Sequence, residues 1–188
     1  MDVVYIGLVD TPGFFAYLIR CFIGIPYVHT VISMDSRLEE AYSIGRRNPA
    51  IPLFAGFEKE DKGNIVKVFP DARYQVFCVP CSAGQREQIG LKLLECYENR
   101  FSYHYCVLGL PFLLLGRHFY QKNHYTCSSF IANLLEENGI RLFDKHFSLV
   151  TPRDFHDLEG KEVLFEGKLR LLAGKDWSLD GCAGAAYE

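Results

Sequence analysis

Hydrophobic and polar residues change rhythm several times along the chain, and each change predicts an element. Val3 to Val9 is a short β-rich run ended by Asp10-Thr11-Pro12, where Thr11 can cap a helix and Pro12 can take its first position. Phe14, Leu18, Ile19 and Phe22 then recur at helical spacing up to Gly24. HTVISMD (His29 to Asp35) alternates between faces, and Leu38 to Ile44 follows after a short polar turn, so the two predict a hairpin. Asn48 to Asp61, with two prolines, a glycine and an acidic tail, reads as an irregular excursion. Asn64 to Phe69 and Arg73 to Val79 read as two more strands.

The second half is marked more strongly. Ser82-Ala83-Gly84-Gln85 matches a capping box, and Ile89, Leu93, Cys96 and Tyr97 follow at three- and four-residue steps, which predicts a helix of about four turns. The apolar run Cys106 to Gly116 has about half the length of a membrane span and carries Pro111 in its middle, so it reads as a buried or interfacial segment without a basic flank. After the polar break QKNHY, the stretch TCSSFIANLLEENG puts Phe130, Ile131, Leu134 and Leu135 on one helical face, with Gly139 placed to end it. Glu162 to Leu171 predicts a last strand, and the Gly/Ala-rich tail, about ten residues, a frayed end. The pattern is α+β, an antiparallel sheet packed against helices, in one domain over residues 1–188.

Composition narrows the function classes. Twenty Lys and Arg against 23 Asp and Glu give a net charge of -3, with no basic face to argue for nucleic acid or an anionic membrane surface. The expected partner is a small peptide-like or amide substrate, without stable membrane anchoring. Seven cysteines at irregular spacing do not form a disulfide framework, and the start MDVVYIGLVD lacks the features of a signal peptide, so the expected compartment is the reducing cytoplasm. Cys78-Val79-Pro80-Cys81 has the spacing of zinc and redox sites but lacks a second ligand pair, and no metal or other cofactor is expected.

Cys127 is the candidate nucleophile. A cysteine attacks as thiolate, which a helix N-terminus and a neighbouring imidazole both favour, and Cys127 opens the best-marked helix. The same residue also suits a buried small hydrophobe in step with Ile131. His29, at the head of a strand, can project an imidazole onto a packed helix; His124 competes through closeness in sequence.

An early strand beginning with His, a following strand with an acid before Ala-Tyr, and a later Tyr-x-Cys-Ser opening a helix resemble the circularly permuted NlpC-type papain-like hydrolases, most closely the YiiX-like group. The segments that carry the resemblance are HTVISMD, LEEAYSIGRR, FSYHY and YTCSSFIANLLEENGI, from Met1 to about Gly139. The resemblance implies a papain-like fold and a cysteine peptidase or amidase with Cys127 as nucleophile and His29 as base. It points to Glu40 as the third catalytic residue; hairpin register favours Glu40 if the turn is Met34-Asp35 but puts Ser43 opposite His29 if it spans Asp35 to Arg37, which leaves Ser43 and Tyr42 as substitutes. It also implies Tyr103, and with it Tyr125, as residues of the substrate cleft, beside an Arg46-Arg47 pair able to meet a carboxylate. The alternatives are an acyltransferase or thioesterase of the lecithin:retinol acyltransferase-like type, and a papain-like binding module without turnover.

Overall fold

The structure, a computed structural model, describes residues 1–12, 14–47 and 55–172. Its organising strand is β1 (Asp2–Asp10), which pairs antiparallel with β2 (His29–Ser33) on one side and with β5 (Arg73–Cys81) on the other. Helix α1 (Phe14–Ile23) connects β1 to β2 and ends at Gly24, whose φ of 72° is a conformation that glycine adopts without a Cβ penalty. With β3 (Ala41–Arg46), β4 (Ala55–Glu60) and β8 (Val163–Lys168), the described strands form a six-stranded antiparallel sheet in the order β4-β3-β2-β1-β5-β8.

Alternation along these strands gives the sheet two buried faces. Val4, Ile6 and Leu8 of β1, with Ile32, Phe77 and Val79, pack against Ile89 and Leu93 of α3 (Ala83–Glu98) and Ile131, Leu134 and Leu135 of α5 (Cys127–Glu137). Val9, Val31, Ala41, Tyr74 and Val76 point the other way, onto Ile65 and Val66 of α2 (Lys62–Val68) and Leu169 and Leu172 of α7 (Leu169–Leu172). Each fully buried aliphatic side chain stabilises the fold by roughly 1.5–3 kcal/mol relative to exposure. The fold is therefore α+β, with helices on both faces of an antiparallel sheet.

The capping box expected at Ser82 is built from two hydrogen bonds. The Gln85 N–H donates to Ser82 Oγ at 3.2 Å while the Ser82 N–H donates to Gln85 Oε1 at 2.9 Å. Gln85 Nε2 also donates to the Asn138 carbonyl, tying the start of α3 to the end of α5. Gly139, at φ 76°, follows as the helix terminator.

Three expectations are corrected. Asn64 to Phe69 is not a strand: Asp61 accepts a hydrogen bond from the Asn64 N–H and starts α2, so a local cap overrides a β-branched run too short to fix its own period. Residues 55–60 of the expected irregular excursion form β4, because β3 supplies a six-residue ladder from Ala41↔Glu60 to Arg46↔Ala55; residues 48–54 lie outside the described residues. The last strand ends at Lys168, where α7 begins. The frayed tail, like Cys182, also lies outside the described residues.

After α3, a two-stranded parallel sheet joins β6 (His104–Tyr105) to β7 (His124–Tyr125), and the short helix α4 (Gly109–Leu114) stands between them in the chain. Thr126 then leads directly into α5. A short helix, α6 (Pro152–His156), precedes β8.

Candidate active site

Cys127 is the first residue of α5, and the reason lies in the residues around it. Thr126 caps the helix: its Oγ1 accepts the Ser129 N–H at 3.2 Å, and Ser129 Oγ accepts the Thr126 N–H at 2.8 Å. Such a cap is worth about 1 kcal/mol and fixes where the helix begins. Ser128 Oγ donates to the Val150 carbonyl at 2.7 Å and anchors the same turn from behind. The thiol is thus held, buried, at the positive end of the helix dipole.

His29 is the first residue of β2, which packs against α5. The registered β2–β3 pairs are Ile32↔Tyr42 and Ser33↔Ala41, further along the strand. The N-terminus of α5 meets β2 at its His29 end: the imidazole hydrogen-bonds the Cys127 sulfur, and the Thr30 N–H donates to that sulfur as well. The other side of the ring is held by β3 and β4. His29 Nε2 lies 2.9 Å from Glu60 Oε1 and 3.1 Å from Ser43 Oγ, and Ser43 Oγ donates to Glu60 Oε1 at 2.5 Å. With Nε2 committed there, Nδ1 is the nitrogen left for Cys127.

Glu60 reaches His29 across β3 because that face of β3 is small. Ala41, Ser43 and Gly45 alternate onto it, and a Cβ on Gly45 would stand 3.0 Å from Ser43 Oγ, 3.2 Å from Glu60 Oε1 and 3.5 Å from His29 Cε1. The side chains of His29 and Glu60 are only 21% and 16% exposed, so their ion pair is little screened by water.

The electrostatics follow from this packing. Burial raises the Cys127 thiol pKa, but the charge of His29, its hydrogen bond, and the N–H groups of Thr30 and Ser128 outweigh burial and hold the thiol below its ordinary range. Burial likewise disfavours the His29 imidazolium, yet the charge and hydrogen bond of Cys127, followed by those of Glu60, carry it up to about 10. The two shifts have one cause, the contact of Cys127 with His29, which favours thiolate and imidazolium together. A thiolate so favoured can attack an electrophilic carbon.

The structure brings Cys127, His29 and Ser43 together, and it separates Glu40 and Tyr42 from them. Glu40 is corrected: its carboxylate is exposed and bonded to Lys59 Nζ at 2.7 Å, and Glu60 holds the position beside the imidazole instead. Ser43 is at the site but bridges His29 and Glu60. Tyr42 projects to the opposite face, stacked on Phe57.

Tyr103 and Tyr125 are also corrected, for both are spent on the core. The Tyr103 ring packs on Phe57 and Phe130 and its hydroxyl accepts a hydrogen bond from Cys96, while Tyr125 is buried among Phe130, Tyr120 and Phe147. Arg47 pairs with Glu58 at 2.9 Å and donates to the Arg100 carbonyl, so it is not a free cation. His124 donates to the Lys122 carbonyl and lies beside His104. Cys78 and Cys81 are buried on β5, and the described residues contain no group of three or more His, Cys, Asp or Glu able to hold a metal ion.

Two residues at the site were not singled out by sequence. Glu60 ends β4, a strand that shows itself only through its pairing with β3. Burial, and then the charge of the nearby Cys127, push the Tyr105 phenol up, which places this side chain beside the sulfur. Its signal was the segment FSYHY, but only the register His104↔His124 and Tyr105↔Tyr125 distinguishes it from Tyr103. A polar cavity of about 490 Å³, lined by residues including Glu39, Lys59, Glu60 and Tyr97, adjoins the acidic end of the site.

Compared with known proteins, the chain matches no family model, no curated protein and no solved structure.

Proposed function

We propose that this protein is a cysteine hydrolase of the permuted papain-like type that cleaves an amide or peptide bond in a small peptide-like substrate. The observation that carries the reading is the chain of contacts from Cys127 through His29 to Glu60, with Ser43 fixing the carboxylate. A buried cysteine serving only as packing needs no imidazole, and an imidazole serving only as structure needs no thiol held below its ordinary pKa.

In the proposed reaction the Cys127 thiolate attacks the carbonyl carbon and a C–S bond forms. The developing oxyanion is met by backbone N–H groups at the start of α5. The His29 imidazolium gives its proton to the departing nitrogen, the C–N bond breaks, and an acyl-enzyme remains. His29 then takes a proton from water, the hydroxide adds to the thioester, and the acid leaves as the thiolate is restored. Glu60 keeps the ring oriented and its Nε2 proton in place throughout. The test is a panel of amide, ester and thioester reporter substrates: amide cleavage, lost in Cys127→Ala and His29→Ala, supports the reading. Cleavage of esters or thioesters alone would favour acyl transfer, and binding without turnover of any class would favour a binding module.

A further inference from the structure

We infer that α4 and the residues around it form a docking surface for the interface of an anionic lipid bilayer. This goes beyond the proposed hydrolysis and departs from the expectation that Cys106 to Gly116 lacks a basic flank. The helix is too short to span a bilayer, and no helix among the described residues is long and apolar enough to do so.

Cys106 is buried and Leu113 half-buried, but most apolar residues of this segment are left exposed. Leu108, Leu114 and Leu115 are 68%, 56% and 72% exposed, and Val107, Leu110 and Phe112 are exposed as well. Within the helix Leu110, Pro111, Phe112 and Leu114 are exposed and only Gly109 and Leu113 are half-buried, so the apolar surface is broader than a single stripe. A short element apolar over most of its circumference is suited to partial immersion.

Charge then selects the lipid. From Asn99 to Leu135 the chain carries no Asp or Glu, in a protein of net charge -3, while Arg100 precedes the apolar run and Arg117 and Lys122 follow it. Arg117 and Lys122 form no ion pair among the described residues. Cations bordering an apolar projection fit anionic headgroups above acyl chains. Phe101 and Tyr120, 67% and 50% exposed, are aromatics of the kind that settle at headgroup level.

The projection is also preorganised. Phe112 stacks on Phe119 at 4.9 Å, and the Phe119 N–H donates to Ser148 Oγ. The N–H groups of Leu115, Gly116 and Arg117 close back on the carbonyls of Pro111, Leu113 and Phe112, so the helix end can enter an apolar medium with these groups satisfied. At its two ends the segment joins β6 and β7, which carry Tyr105 and lead into Cys127, so docking would hold the candidate site close to the bilayer surface.

Co-sedimentation of the full chain with vesicles tests this. The protein should pellet with vesicles of phosphatidylcholine mixed with phosphatidylglycerol, more weakly with phosphatidylcholine alone, and less as salt is raised. Leu114→Ser with Leu115→Ser should lower partitioning at least roughly tenfold. Arg117→Gln with Lys122→Gln should lower it by roughly fivefold or more on the anionic vesicles only. Both pairs are exposed, so each variant should melt with the wild type. No pelleting with anionic vesicles, or pelleting indifferent to both pairs of substitutions, would overturn the inference. So would concentration-dependent self-association in sedimentation velocity without pelleting, lost with the leucine pair, because it would assign the face to a second copy of the chain.

Discussion

Glu60 Oε1 lies 2.9 Å from His29 Nε2, although the residues are 31 positions apart and stand on strands separated by β3. The carboxylate therefore acts on the imidazole across a neighbouring strand, and three small residues of that strand make the reach possible. If the chain is a cysteine hydrolase, this contact sets the orientation of its base.

Replacing the carboxylate should thus separate Glu60 from Glu40. Glu60→Gln is expected to lower kcat/KM on the best amide reporter by roughly 10²-fold, the scale of losing correct general-base alignment. Glu40→Gln should leave it within about twofold, because its pair with Lys59 is exposed to solvent. Steady-state kinetics of the two variants side by side check this, and a larger loss in Glu40→Gln would return the third position to Glu40.

Gly45 gives a steric version of the same test. A methyl group there would crowd Ser43 Oγ and Glu60 Oε1, side-chain atoms able to give way by a few tenths of an ångström, and would touch His29 Cε1 at ordinary contact distance. Gly45→Ala is expected to fold with nearly unchanged stability in urea while kcat falls roughly tenfold, since catalysis is more sensitive than packing to such displacements. Loss of stability with unchanged kcat would mean that the carboxylate does not position the base.

Tyr103→Phe should behave in the opposite way. Its hydroxyl accepts a hydrogen bond from Cys96 and its ring packs on the core, so the substitution is expected to cost about 1 kcal/mol in stability and to leave kcat/KM unaltered. Urea unfolding beside the kinetic assay measures both. A rise in KM without loss of stability would put Tyr103 back in the substrate cleft.

What the sequence made legible was local. The capping box at Ser82, the helix opening at Cys127 and the terminating Gly139 are short-range signals, and each appears where its chemistry places it. The third member of the site was not legible because its strand has no local signature: β4 follows Pro- and Gly-containing chain and exists through its ladder with β3. Hairpin register failed for a related reason. The turn between β2 and β3 is longer than Met34-Asp35 or Asp35 to Arg37; Asp35 accepts the N–H groups of Arg37, Glu39 and Glu40, and Leu38 sits at φ 54° with its side chain buried. That longer loop pairs Ser33 with Ala41 and leaves Glu40 outside the ladder, turned to solvent. The choice between Tyr103 and Tyr105 likewise rests on long-range packing that alternation alone does not encode.

The pH profile should carry the signature of the pair. The thiolate forms above the lowered Cys127 value, and the imidazolium survives until the raised His29 value near 10, so kcat/KM should rise below the ordinary thiol range, stay high through neutral pH and fall on the alkaline side. Single-turnover rates across pH check both limbs. A profile that climbs only above the ordinary thiol range would indicate an unpaired cysteine.

The central claim is that Cys127 is a thiolate at neutral pH because of His29, and thiolate absorbance in the far ultraviolet reads this directly, whatever the substrate proves to be. The difference between the wild type and Cys127→Ala should show about one thiolate at neutral pH, as expected for a paired cysteine. The same difference taken in a His29→Ala background should vanish there and return only in alkali. If the wild-type difference shows no thiolate until the pH passes the ordinary thiol range, Cys127 is a packing residue and the account is contradicted.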